Sequence, residues 1–223
     1  MSNQDRSNTT KKSTVYVALI TALAIIIGSV ILGLGGQTTT PETTPEAAAP
    51  AVELPNAGIT EANKATISFT TNQGEIVIET TPALAPLTVN AIAALAQKNY
   101  FDNTICHRLT TEGIYVLQCG DPTGTGTGGP GFNIPDENLP QPTENNYPAG
   151  TVAMANAGPG TSGSQFFLVY QDTTLGPDYT IWGSITSGLD ILKTIASAGV
   201  VDGGTDGAPV TGVTIESTKV TIS

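Results

Sequence analysis

MANAGPGTSGSQFFL, spanning residues 154–168, sets the architecture of this 223-residue chain. Short apolar runs at 151–154 and 165–170 border it and read as strands, while the Gly, Pro and Ser between them break any regular element. Neighbours on a strand point to opposite faces, so Phe166 and Phe167 cannot share a surface. Phe166, with Met154, is assigned to a core, and Phe167 faces the opposite side. Further strand candidates lie at 105–109, 113–118 and 179–185. Towards the N-terminus, ATISFTT and EIVIETT alternate around NQG and read as a β-hairpin. PLTVNAIAALAQK, residues 86–98, places Leu87, Val89, Ile92, Leu95 and Ala96 at near-helical spacing. Residues 189–198 form a second helical candidate stopped by Gly199, and 213–222 alternates again. Many short strands, two helices and no βαβ rhythm predict a mainly β, antiparallel barrel with helical lids.

Composition narrows the function. The formal charge is -11, and of eight Lys and Arg residues three (Arg6, Lys11, Lys12) precede residue 13. A nucleic-acid partner is excluded, because a phosphate backbone demands a basic patch. A single His and two Cys make no metal cluster. GTGTGGPG, residues 124–131, lacks the Lys-Ser/Thr ending of a phosphate loop and runs into Pro130, so it is a plain loop.

The N-terminal part divides into zones. Residues 1–14 are a short cytoplasmic tail. Residues 15–34, VYVALITALAIIIGSVILGL, carry no charge and are long enough to span a hydrocarbon core of roughly 30 Å. Basic residues before this run, and none after it until Lys64, orient the remainder across the membrane. The run exceeds the usual signal-peptide core and no good A-x-A site follows it, so an uncleaved anchor is expected. Residues 35–60, rich in Thr, Pro, Ala and Glu, form an extended, disordered linker. Residues 61–223 are the folded domain.

Three stretches of that domain resemble the cyclophilin family: ICHRLTTEGIYVLQCGD (105–121), GTGTGG (124–129) with the acidic FNIPDEN after it, and residues 154–168. The resemblance implies a closed eight-stranded barrel capped by two helices. It also implies cis/trans isomerisation of Xaa-Pro bonds in proline-containing polypeptides, and together with the apolar run at 15–34 the expectation is a bacterial, membrane-anchored, extracytoplasmic and monomeric member. Arg108 matches the family's catalytic arginine and Gln118 the glutamine beside it. Tyr115 and Val116 stand where the family usually has Phe and Met. Ala155, Asn156, Gln165 and Phe167 match groove residues, Leu175 the pocket leucine, and Tyr179 the place of a common His. Should the strands of Arg108 and Gln118 pair as the family's do, Cys106 and Cys119 lie close. A disulfide and two free buried thiols both remain open, the first suiting an exported domain.

The chemistry implied is electrostatic. Rotation about an Xaa-Pro amide costs about 18–20 kcal/mol because the nitrogen lone pair conjugates with the carbonyl. Twisting frees that lone pair, which a guanidinium held over the ring can meet with an N–H while Tyr115, Val116, Phe167 and Leu175 grip the ring. Asn156, Gln118 and Gln165 would hold the flanking peptide. No nucleophile, metal or cofactor is required. Two departures stand out. Nine residues separate Arg108 from Gln118, two more than the common pattern, and Thr174 replaces an aromatic linked to cyclosporin binding, which implies weak inhibition by that drug. They keep open a second reading, a non-catalytic proline-peptide-binding or chaperone-like surface module. His107, pointing away from Arg108 on its strand, is structural.

Overall fold

The computed structural model describes residues 53–223. The tail, the apolar run and residues 35–52 of the linker lie outside the described residues, and among the described residues no helix is long and apolar enough to cross a membrane.

The hairpin forms as its alternation dictates. β1 (Ala65–Thr71) and β2 (Gly74–Thr80) pair antiparallel across Asn72 and Gln73, with Thr71 opposite Gly74. Ala65, Ile67, Phe69, Ile76 and Ile78 point inward, each at most 2% exposed. α1 (Pro86–Gln97) starts on a proline, whose missing N–H costs nothing at a first helical turn. Residues 88–96 of this helix are buried, but Leu87, expected on its apolar face, is exposed. Asn90 ties the segment ahead of β1 to the helix by accepting from Ile59 N–H at 2.9 Å and donating to Ile59 C=O at 2.8 Å.

The remaining strands are β3 (Thr104–Ile105), β4 (Arg108–Thr110), β5 (Val116–Cys119), β6 (Thr151–Met154), β7 (Phe166–Val169), β8 (Ile181–Ser187), β9 (Asp206–Gly207) and β10 (Thr214–Ile222). α2 (Leu189–Ala198) keeps its expected bounds and turns Leu192 and Ile195 inward, with Gly199 at its C-terminal cap. The main core fills the concave side of the sheet, where Phe166 stacks on Phe69 at 5.3 Å and meets Trp182 edge-on at 5.8 Å.

The closed eight-stranded barrel is not what forms. The described residues make one curled antiparallel half-barrel of ten strands in the order β3-β10-β1-β2-β8-β6-β7-β5-β4-β9, and its two edges do not hydrogen-bond to each other. The physical cause lies at Cys106 and His107. There the chain leaves β10, with Cys106 N–H still donating to Val213 C=O at 3.0 Å, and bends into β4, which pairs with β5. One bent segment thus serves both margins, and the ladder stops at the bend.

Candidate functional site

Strand register builds the site. Residues directly opposite on neighbouring antiparallel strands share a face. Arg108 lies opposite Gln118, Gln118 opposite Phe167, Phe167 opposite Ala153 and Ala153 opposite Ile181. A single row therefore crosses β4, β5, β7, β6 and β8 on the face turned away from the main core. The adjacent row, Leu109, Leu117, Leu168 and Val152, faces inward and is at most 1% exposed. Period-two alternation thus puts a packed core on one side of these strands and a groove on the other.

The groove carries a second apolar cluster of Val116, Tyr147, Ala153, Phe167 and Val169, flanked by Ile114, Ala155, Leu175, Tyr179 and Ile181. Phe167 meets Tyr179 edge-on at 5.5 Å and Tyr147 at 6.0 Å. Val116, Phe167, Leu175, Tyr179 and Ala155 thus come together as the sequence suggests. Tyr115 does not. It packs towards the main core and against Tyr170 at 6.0 Å, because it is one residue out of phase with Val116, and Ile114 takes the groove position instead. Sequence reasoning also passed over Tyr147, which is fully buried. Its Oη bonds the carbonyls of Gly176 and Tyr179, each at 3.2 Å, and accepts Tyr179 N–H at 3.1 Å, fixing the loop that carries Leu175 and Tyr179. Burial pushes the Tyr147 phenol up to about 12.

A polar chain runs along the other margin. Arg108 Nη1 donates to Gln118 Oε1 at 3.2 Å, Gln118 Nε2 to Gln165 Oε1 at 2.9 Å, and Gln165 Nε2 to the carbonyls of Gly126 and Gly128 at 3.0 and 2.9 Å. Those two glycines in turn give their N–H groups to Asp121, at 2.6 and 3.0 Å. Burial alone would raise the Asp121 carboxyl, but bonds from the Thr123 hydroxyl and from the backbone of Thr123, Gly128 and Gly126 outweigh it and hold the pKa at about 2. A Cβ on Gly128 would collide with Asp121 Oδ1, so this loop can wrap the carboxylate only with glycine there. Gln118, Gln165, Ala155, Asn156 and the loop line a cleft of about 840 Å³. Asn156 is held by donating from Nδ2 to Asp178 C=O at 2.8 Å.

Arg108 has a partner that the sequence did not disclose. Its Nε and Nη2 donate to Asp206 Oδ1 and Oδ2, both at 2.7 Å, in a bidentate pair between half-exposed side chains. The bond to Asp206 pushes the guanidinium pKa further above its usual value and the carboxylate correspondingly down. β9, which bears Asp206, has only two residues, so no periodicity announced it. Cys106 and Cys119 are joined in a disulfide, with Cα atoms 4.0 Å apart, that ties the bend before β4 to the end of β5. His107 is half-buried, which lowers its pKa against the pull of Asp121, and its buried Nδ1 has no partner among the described residues.

Known proteins are similar to this chain. Residues 66–220 match the model of the family described as Cyclophilin type peptidyl-prolyl cis-trans isomerase/CLD. A probable peptidyl-prolyl cis-trans isomerase B of Mycobacterium leprae is 46% identical over 84% of this chain and 68% of its own length. The Mycobacterium tuberculosis protein of that description is 48% identical over 78% of this chain, which spans only 60% of that protein. A cyclophilin type isomerase from Cryptosporidium parvum, solved by crystallography, superposes with a TM-score of 0.62 at 28% identity, covering 71% of this chain and 98% of its own. By its sheet, its groove and these matches, the chain belongs to the cyclophilin-type peptidyl-prolyl cis-trans isomerases, enzymes that turn Xaa-Pro bonds.

Proposed function

We infer that the domain isomerises Xaa-Pro bonds of exported or surface polypeptides, with Arg108 as its catalytic residue and the Val116–Phe167–Leu175–Tyr179 cluster as the proline seat. One observation carries this reading: Arg108 begins the same cross-strand row whose centre is Phe167, with Gln118 between them. A proline ring seated on Phe167 would lie two strands from Arg108, across Gln118. Of five N–H groups on Arg108, Asp206 and Gln118 engage three, leaving one on each Nη for the prolyl nitrogen once it loses planarity. That bond strengthens only in the twisted state, which is the requirement for catalysis. Gln118, Gln165 and Asn156, held by one another and by backbone, fix the peptide beside the cleft so that one side stays put while the other rotates. In an isomerisation assay on a proline-containing peptide, Arg108→Ala lowers kcat/KM about a hundredfold or more while the fold persists. An unmutated protein without activity would end this reading.

The proposed setting is extracytoplasmic, the domain standing off a membrane on the apolar segment 15–34 and the Thr/Pro-rich stretch 35–60. The sequence of those segments supports it, and so does the Cys106–Cys119 disulfide, a bond at home in an oxidising compartment. Protease added to intact cells digests the domain if it is outside; protection until lysis refutes that placement.

A further inference from the structure

We propose that Asp206 is a positioning residue for Arg108, holding the guanidinium in the plane from which it meets the prolyl nitrogen. The inference rests on Arg108 being the catalytic residue and adds what aims it.

The placement is built into the backbone. β9 pairs with β4 so that Asp206 sits opposite Thr110 and Gly207 opposite Leu109. Thr110 and Arg108 are two residues apart on one strand and share a face, so Asp206 is the diagonal neighbour of Arg108 on that face, within reach of a long side chain. The short strand is held on both flanks. Thr111 N–H donates to Thr205 C=O at 2.9 Å, and Val201 N–H donates to Ala208 C=O at 2.8 Å. Gly207 has φ 155°, and a Cβ there would press on Val200 Cγ1 at 3.0 Å, so the tight approach of this segment requires glycine.

The chemistry of the pair is specific. A carboxylate taking Nε–H and one Nη2–H fixes the guanidinium plane on one edge, and Gln118 holds Nη1 from the other side. An arginine without these restraints samples many rotamers, and each encounter with substrate would have to order it. With them, the two remaining N–H groups already stand where the developing lone pair appears, without reorganisation at the moment of rotation. Gln118 alone offers one neutral bond at 3.2 Å, too little to fix a plane.

Arg6 and Arg108 are the only arginines in the chain, so an arginine side-chain signal can be assigned by elimination. With the full chain and a proline-containing peptide followed by NMR exchange, Asp206→Ala lowers kcat about tenfold and leaves KM within twofold. Asp206→Glu recovers a good part of that loss, because it restores the two-pronged acceptor. In an Arg108→Ala background, Asp206→Ala costs nothing further. In the substrate-free protein, the Arg108 Nε–H resonance moves to the position of a solvated arginine when Asp206 is removed. An Asp206→Ala protein with kcat within twofold of the parent, an equal loss in the Arg108→Ala background, or an unmoved Nε–H signal each overturns the inference. A parent protein with no isomerase activity overturns the catalytic reading of Arg108, and the positioning role with it. Full parental activity with an indifferent Asp206 overturns the positioning role alone.

Discussion

The centre and the arginine end of the cross-strand row are made differently. Its centre, Phe167 and Ala153, sits on β7 and β6, strands paired on both sides and buried on both faces. Its arginine end sits on three-residue β4 and two-residue β9, where the ladder runs out. At the centre, packing density holds the geometry and no dedicated bond is needed. At the margin, backbone pairing is too short to hold a charged side chain, and individual bonds substitute for it: a disulfide behind the strand, a carboxylate beside the guanidinium, a glutamine relay leading to the glycine loop. The lesson is that the apolar seat is a by-product of the barrel-like sheet, whereas the charged group needed its own scaffolding.

This contrast can be broken by substitution. If the centre is held by packing, stability and activity fall together there. Phe167→Ala, at a side chain only 5% exposed, is expected to cost about 4 kcal/mol in denaturant unfolding and to raise KM steeply. Retention of parental stability would mean that the groove is not part of the folded scaffold. Next in size is the margin's covalent brace. Replacing Cys106 and Cys119 by Ser opens a loop with a sequence separation of 13, which costs about 3 kcal/mol on chain entropy. Because the bond lies behind β4, kcat is expected to fall more than peptide affinity. Equal losses in both would place the disulfide outside the aiming of Arg108.

Asp121 tests how far the margin's scaffolding extends, since it anchors the loop on which Gln165 leans. Its folded pKa of about 2 lies below the ordinary 3.8, so its contribution is complete above 3.8 and is lost as pH falls through about 2. The shift corresponds to about 2 kcal/mol. Asp121→Asn is expected to cost that much at pH 7 and to converge with the parent near pH 2 in parallel denaturant titrations. A gap that stays constant across this range would locate the effect in shape and not in charge.

The same contrast governs what could be read from sequence. The centre was legible: the bounds of β6 and α2, the hairpin and the opposite facing of Phe166 and Phe167 all follow from alternation or helical period in apolar runs. The margin was not. β9 is Asp-Gly, a pair that reads as a turn and becomes strand only because β4 lies beside it, so Asp206 carried no local signal. The bend at Cys106 and His107, which leaves the sheet an open half-barrel, is likewise a tertiary event inside what looked like one strand at 105–109. Tyr115 failed for a different reason. The lengthened connection from Arg108 shifts which residue starts the alternation, and counting back from Gln118 by twos reaches Val116 and Ile114. That count was available in the sequence. Leu87 points to solvent from the first turn of α1, although Thr88 and Val89 beside it are buried.

The smallest expected effect comes from a bond outside the row altogether. The residue before α1, Ala85, offers no side-chain cap, and the first turn contains no acid. Glu137 supplies both from a distant loop. Its carboxylate accepts Leu87 N–H at 3.0 Å, and Thr88 N–H and Thr88 Oγ1 at 2.8 Å each. A carboxylate at a helix N-terminus satisfies orphan donors and complements the dipole there. Losing such a cap costs about 1 kcal/mol, so Glu137→Ala is expected to lower the unfolding free energy by that amount. The loop itself stays anchored through Glu137 N–H to Thr180 Oγ1 at 2.9 Å and Asn138 Nδ2 to Ile181 C=O at 2.7 Å. Isomerisation kinetics should therefore match the parent. A drop in kcat without a matching loss of stability would show that α1, and not only the strand margin, takes part in aiming Arg108.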